Sequence, residues 1–176
     1  MSGRGPVPPP AGGGTQTQAQ ARAMVRAYLT DEQERIWYRL VEIFDVLLST
    51  LDARMLAEHN ISLSAFEALM QITHAEAGAI NISDLAEQVR LSPSRVSRVA
   101  VELEQRGLVR RQRSGTDSRS TEVAVTAAGR AQLQRAAPTY LSTIRSHLFE
   151  GLHQRDVVQL ARILERIEAT RTRPDG

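Results

Sequence analysis

Between Leu91 and Thr126 the chain passes through a series of local signals whose order few folds accommodate. Ser92 is a capping residue type, and Pro93 suits a first helical position, where a missing amide hydrogen costs nothing. Gly107 then supplies a left-handed stop. Val109 to Arg113 read as a strand, Ser114 to Ser118 as a polar turn, and Glu122 to Thr126 alternate back as a return strand. A capped helix running straight into a β-hairpin predicts a wing beside that helix. Upstream, Asn81 or Ser83 caps a brief helix with Leu85, Ala86 and Val89 inward, so that short helix, tight turn and capped helix make a helix-turn-helix. Ala79 to Asn81 is short and apolar, a candidate third strand.

On a wheel of 100° per residue, Val96, Val99, Ala100 and Leu103 share one arc, and Ser94, Ser97, Arg98, Val101 and Gln105 the opposite one, with Arg95 on the flank. Small hydroxyls around an arginine suit a DNA major groove, because serine permits close approach and Arg95 or Arg98 reaches guanine O6 and N7. The competing reading makes both arginines solvated surface groups, or pairs Arg98 with Glu102 one turn on. Charge distribution favours the groove. Residues 90 to 119 hold eight arginines against three acids, a net +5, whereas the whole chain carries +2. A local basic footprint is what nucleic acid requires. Arginine type says less: all 22 basic residues are arginine, a bias spread along the whole chain and equally explained by GC-rich codons.

Thr30 and Gln33 form a capping-box pattern ahead of a long amphipathic helix carrying Ile36, Leu40, Ile43, Phe44, Leu47, Leu48, Leu51 and Met55. A second helix starts near Ser62, with Phe66, Leu69, Met70 and Thr73 on one side. After Thr126 a helical stretch places Leu133, Ala137, Leu141, Ile144 and Leu148 at helical spacing, with a bend expected at Pro138. The last helix, from about Gln154 to Ala169, carries Val157, Leu160, Ala161, Leu164 and Ile167. These helices present more apolar surface than a small domain covers alone, and a symmetric dimer buries it. Residues 1–27, rich in Pro, Gly and Gln, read as a disordered tail. Residues 28–172 read as a single domain, with a winged helix over about 61–126 and dimerisation helices over about 30–57 and 127–170. The fold class expected is mainly α with a small β-wing.

Several functions lose their residues at this stage. The chain has no cysteine, which removes disulfides, thiolate metal sites and thiol redox sensing. No stretch nears the roughly 18 apolar residues of a membrane span, and the N-terminus lacks a secretory apolar core, so a cytoplasmic location, on the nucleoid when DNA is bound, is expected. Phosphate-loop, nucleophile-elbow and Ser/His/Asp patterns are missing, so no enzyme and no cofactor are expected. His147, Glu150 and His153 give one Glu-x-x-His step without the second copy that a di-metal bundle needs, leaving a metalloenzyme as a weak alternative and no metal site expected.

The stretches ISDLAEQVRLSPSRVSRVAVELEQRGLVRR, DSR and VAVTAAGRAQL together resemble the MarR-type winged-helix transcription regulators, with DSR matching an Asp-x-Arg wing signature. The likeness extends over roughly residues 30 to 170. It implies a homodimer that binds double-stranded DNA at a near-palindromic operator, most often as a repressor. Carried over residue by residue, Ser92, Ser94, Arg95, Ser97 and Arg98 contact bases or nearby phosphates, Arg111 and Arg113 hold the backbone, Arg119 enters the minor groove, and Asp117 orients Arg119. Many members bind a small aromatic or anionic effector beside the dimer helices. Trp37, Tyr38, His59, Phe66 and His74 are the candidates by position, with core packing or exposure as the competing role for each. A second function class stays open: a dimeric helical interaction protein with a vestigial winged helix and no tight DNA binding.

Overall fold

The computed structural model of the chain describes residues 28–113 and 121–171. Helix α1 (Asp31–His59) begins in a reciprocal capping box: Thr30 N donates to Gln33 Oε1 at 2.9 Å, and Gln33 N to Thr30 Oγ1 at 3.2 Å. Asp31, Glu32 and Glu34 in its first turn favour the positive end of the helix dipole. Asn60 turns the chain with φ 51°, a left-handed position that asparagine tolerates. Helix α2 (Leu63–His74) is capped by Ser62, whose hydroxyl accepts from Ala65 N at 3.3 Å.

Strand β1 (Ala79–Asn81) leads into α3 (Ile82–Val89), and of the two expected caps it is Asn81 that accepts the Ser83 amide, at 3.1 Å. Arg90, at φ 53°, makes the turn into α4 (Pro93–Gln105). Gly107, at φ 69°, ends α4 and releases β2 (Val109–Arg113). Strand β3 (Thr121–Val125) lies between its neighbours in the order β1-β3-β2, both pairings antiparallel, with Ile80 and Arg111 each opposite Val123. Helix α5 (Ala127–Ile144) is capped by Thr126, passes into a π turn over Arg145–Phe149, and is followed by α6 (Gln154–Arg171).

Two compact units divide within α1, the first ending at Phe44 and the second starting at Asp45. In the first, Ile36, Trp37, Tyr38, Leu40 and Phe44 are all exposed apolar side chains. The second holds the core: Met55, Ile61, Phe66, Leu69, Ile72, Leu85, Val96, Leu103, Val109 and Val123 are each at most 2% exposed. Both predicted periodicities of α4 and β3 thus deliver their side chains to one interior.

Helix α5 departs from expectation in part: of its expected stripe, Leu133 and Ala137 pack against the core. Its buried face is Gly129, Gln132, Ala136, Thr139 and Thr143, while Leu141 stands 61% exposed. Polar side chains face inward because partners wait for them on α1, described below. Gly129 is required for a close approach: a Cβ there would lie 2.1 Å from the Leu108 carbonyl oxygen. The helix continues through Pro138, whose missing amide hydrogen removes the helical bond to the carbonyl of Gln134, an exposed residue.

Candidate nucleic-acid interface

Helix α4 is fixed by its apolar arc. Val96, Val99, Ala100 and Leu103 are buried, which turns Ser94, Arg95 and Arg98 outward as exposed residues and leaves Ser97 half-buried beside them. Ser92 takes the N-cap position, but its hydroxyl lies 3.2 Å from Ser94 Oγ and bonds no backbone amide of the helix. The alternative pairing of Glu102 with Arg98 does not form; Glu102 lies 3.6 Å from Arg106 Nη1. Among the described residues, Arg95 and Arg98 carry no ion pair, so both guanidinium groups are available to an anionic partner.

The wing is stapled to α4 at two points. Glu104 Oε1 accepts the Arg111 backbone amide at 3.0 Å and Glu104 Oε2 accepts Arg111 Nε at 2.7 Å. Those bonds from Arg111, first the side chain and then the amide, hold the Glu104 carboxyl below the usual carboxylate range. Thr126 supplies the second staple, donating its amide to the Leu108 carbonyl at 3.0 Å and its hydroxyl to that of Gly107 at 2.7 Å. Arg111 therefore sits on the α4 side of β2, whereas Arg110 is exposed on the other. Arg113 pairs with Thr121 at the end of the hairpin ladder. Asp117 and Arg119 lie outside the described residues.

The five effector candidates have different surroundings. Phe66 is enclosed in the core with its ring centroid 4.9 Å from that of Tyr140, a packing role. Trp37 lines a shallow apolar recess at the start of α1 with Gln33, Ile36, Leu40 and the preceding Leu29, and Tyr38 is exposed. His74 is exposed at the end of α2. His59 opens onto a cleft of about 620 Å³ lined also by Ala57, Glu58, Asn60, Gln132 and Arg135. The His147, Glu150, His153 run is interrupted by the π turn and a non-helical link, and no metal-binding cluster occurs among the described residues.

Sequence reasoning missed the polar junction beside that cleft. Arg54 Nε donates to Glu58 Oε1 at 2.8 Å, Arg54 Nη1 to Thr143 Oγ1 at 2.9 Å, and Thr139 Oγ1 to Glu58 Oε2 at 2.8 Å. Gln132 Nε2 adds a bond to the His59 carbonyl at 2.9 Å. The Thr139 hydroxyl and then Arg54 hold the Glu58 carboxyl below its ordinary range. The one available signal was the Arg54 to Glu58 spacing of four on a helix.

Residues 61–121 match the model of the MarR family. No curated protein matches the chain. Among solved structures, the chain is similar to AbsC, a MarR family transcriptional regulator from Streptomyces coelicolor, at 26% identity and a TM-score of 0.73, over 83% of this chain and 99% of that one. A second Streptomyces coelicolor regulator of the family, solved in complex with DNA, is 25% identical with a TM-score of 0.75, over 84% and 92% of the two chains. CouR from Rhodococcus jostii RHA1, solved bound to p-coumaroyl-CoA, is 25% identical with a TM-score of 0.64, over 75% and 90%.

Proposed function

From the premise that this chain belongs to the MarR family of transcriptional regulators, we propose that it is a homodimeric repressor that reads a near-palindromic operator and is released by a small anionic or aromatic molecule. The observation that carries the DNA reading is the outer face of α4, where Arg95 and Arg98 stand exposed beside Ser94 with no acidic partner among the described residues. Each α4 enters a major groove, with Ser92, Ser94, Arg95, Ser97 and Arg98 toward the bases. Arg113 holds the backbone, and Asp117 orients Arg119 toward the minor groove. A family relative solved in complex with DNA supports the reading of DNA as the partner.

Dimer formation rests on apolar surface. Exposed apolar side chains line the first part of α1, among them Ile36, Trp37, Leu40 and Phe44, and a separate set, Leu160, Ile163, Leu164 and Ile167, lines α6. Each is the kind of face that a second copy covers. Two copies of α4 then meet half-sites about one helical turn, roughly 34 Å, apart. For release, the cleft beside His59 has the volume of a small-molecule site, and CouR, solved with an acyl-CoA, gives a relative with a bound small molecule.

Selection of bound fragments from random duplex DNA tests the proposal. A pool enriched in an inverted repeat with half-sites about one turn apart supports it. A pool without enrichment, from protein that sediments as a monomer, contradicts both the operator and the dimer.

A further inference from the structure

The charge footprint beside α4 contains a cation that the fold has already spent. Arg111 belongs to the basic run, yet its Nε and its backbone amide both end on the Glu104 carboxylate, at 2.7 and 3.0 Å. Glu104 lies in the last turn of α4, and Arg111 lies in the middle of β2, opposite Val123. The two side chains are 36% and 31% exposed, so the pair sits at the surface, within reach of the same solution as Arg95 and Arg98. Arg110, the residue before it, is exposed on the opposite face of the strand. One carboxylate thus does two things. It fixes the start of the wing against the end of α4, and it pairs with the Arg111 guanidinium at that joint.

We propose that Glu104 is a positioning residue that withholds Arg111 from the DNA phosphates and so raises the ratio of specific to non-specific binding. The proposal rests on the DNA-binding reading of α4. Its physical content is that a free cation beside the recognition helix strengthens binding to any duplex, since phosphate contacts carry no sequence information. A wing held at a fixed angle to α4 adds affinity only on a site whose shape suits both elements. Pairing Arg111 with Glu104 removes the indiscriminate contribution and keeps the discriminating one.

The test measures binding of a random-sequence duplex and of a duplex selected by the wild-type protein, each over a range of salt concentrations, by fluorescence anisotropy. Glu104→Gln keeps a carbonyl oxygen for the Arg111 amide and keeps the helix, while losing the charge. For this variant the slope of log affinity against log salt on random duplex steepens by about 0.9, the equivalent of one further phosphate neutralised. Affinity for random duplex at low salt rises, and the ratio of selected to random affinity falls. The double variant Glu104→Gln with Arg111→Gln returns the slope to the wild-type value. Equal weakening on both duplexes with an unchanged slope gives Glu104 a merely structural role and overturns the proposal. A shallower slope in Glu104→Gln overturns it too, since Arg111 then contacts phosphate in the wild type with Glu104 aiming it. Wild-type protein that enriches no duplex in the selection and does not bind the random-sequence duplex brings down the DNA reading itself, which separates that failure from this one.

Discussion

Thr139 Oγ1 lies 2.8 Å from His59 Nε2, and the imidazole is the donor in that contact, because the single hydroxyl hydrogen of Thr139 goes to Glu58 Oε2. The same logic fixes its neighbour: Thr143 Oγ1 donates to the Thr139 carbonyl at 2.8 Å and so accepts from Arg54. Each hydroxyl in this junction donates once and accepts once, and the end of α1 is thereby tied to α5. No buried side-chain nitrogen or oxygen is left without a partner among the described residues.

Replacing Thr139 by valine keeps the shape and removes the hydroxyl. The His59 ring N–H then faces a methyl group and Glu58 loses its second donor. Urea unfolding at fixed protein concentration should show a loss of about 1 kcal/mol, while Thr139→Ser retains most of the wild-type stability.

Gly129→Ala should destabilise the fold. Its Cβ would meet backbone, the Leu108 carbonyl oxygen at 2.1 Å, so the first turn of α5 has to move away from the base of the wing. A loss of about 1–3 kcal/mol is expected from thermal melts. Gly151→Ala is the control, since a Cβ there meets nothing within 4 Å, and its melting temperature should stay near the wild-type value.

Acid should weaken the fold through Glu58 and Glu104, both titrating below their ordinary value of 4.5 in the folded protein. A depressed carboxylate contributes stability above its unfolded pKa and loses it as pH falls through the folded one. Glu67, raised by burial, has the opposite sign: the folded state takes up its proton more readily, so acid favours folding at that group. Urea midpoints followed downward from pH of about 7 should therefore fall below about pH 4.5, and fall less steeply in Glu104→Gln. Parallel curves for the two proteins would contradict the assignment to Glu104.

Most of the winged helix was legible in the sequence because each element announces itself locally. The apolar arc of α4, the stop at Gly107, the Asn81 and Thr126 caps and the Thr30–Gln33 box need only short-range spacing, and each is found. The face of α5 was legible only at Leu133 and Ala137, which pack against the core. An apolar count favours Leu141 over Thr139 and Thr143, and only the arrival of Arg54, Glu58 and His59 from a distant segment makes the threonines the buried side. Arg111 was misweighted for a related reason. A sum of charges along the chain records Glu104 and Arg111 as separate, while the helix-to-strand turn places them 2.7 Å apart.

Recognition by α4 is the central claim, and Arg98→Ala tests it most directly. The measurement compares affinity for a duplex selected by the wild-type protein with affinity for a scrambled duplex of the same composition. The expected result is a loss of about 1–3 kcal/mol on the selected duplex, a smaller loss on the scrambled one, and relaxed base preference at one position in each half-site. Unchanged affinity for the selected duplex would show that the exposed arginine face of α4 does not read DNA.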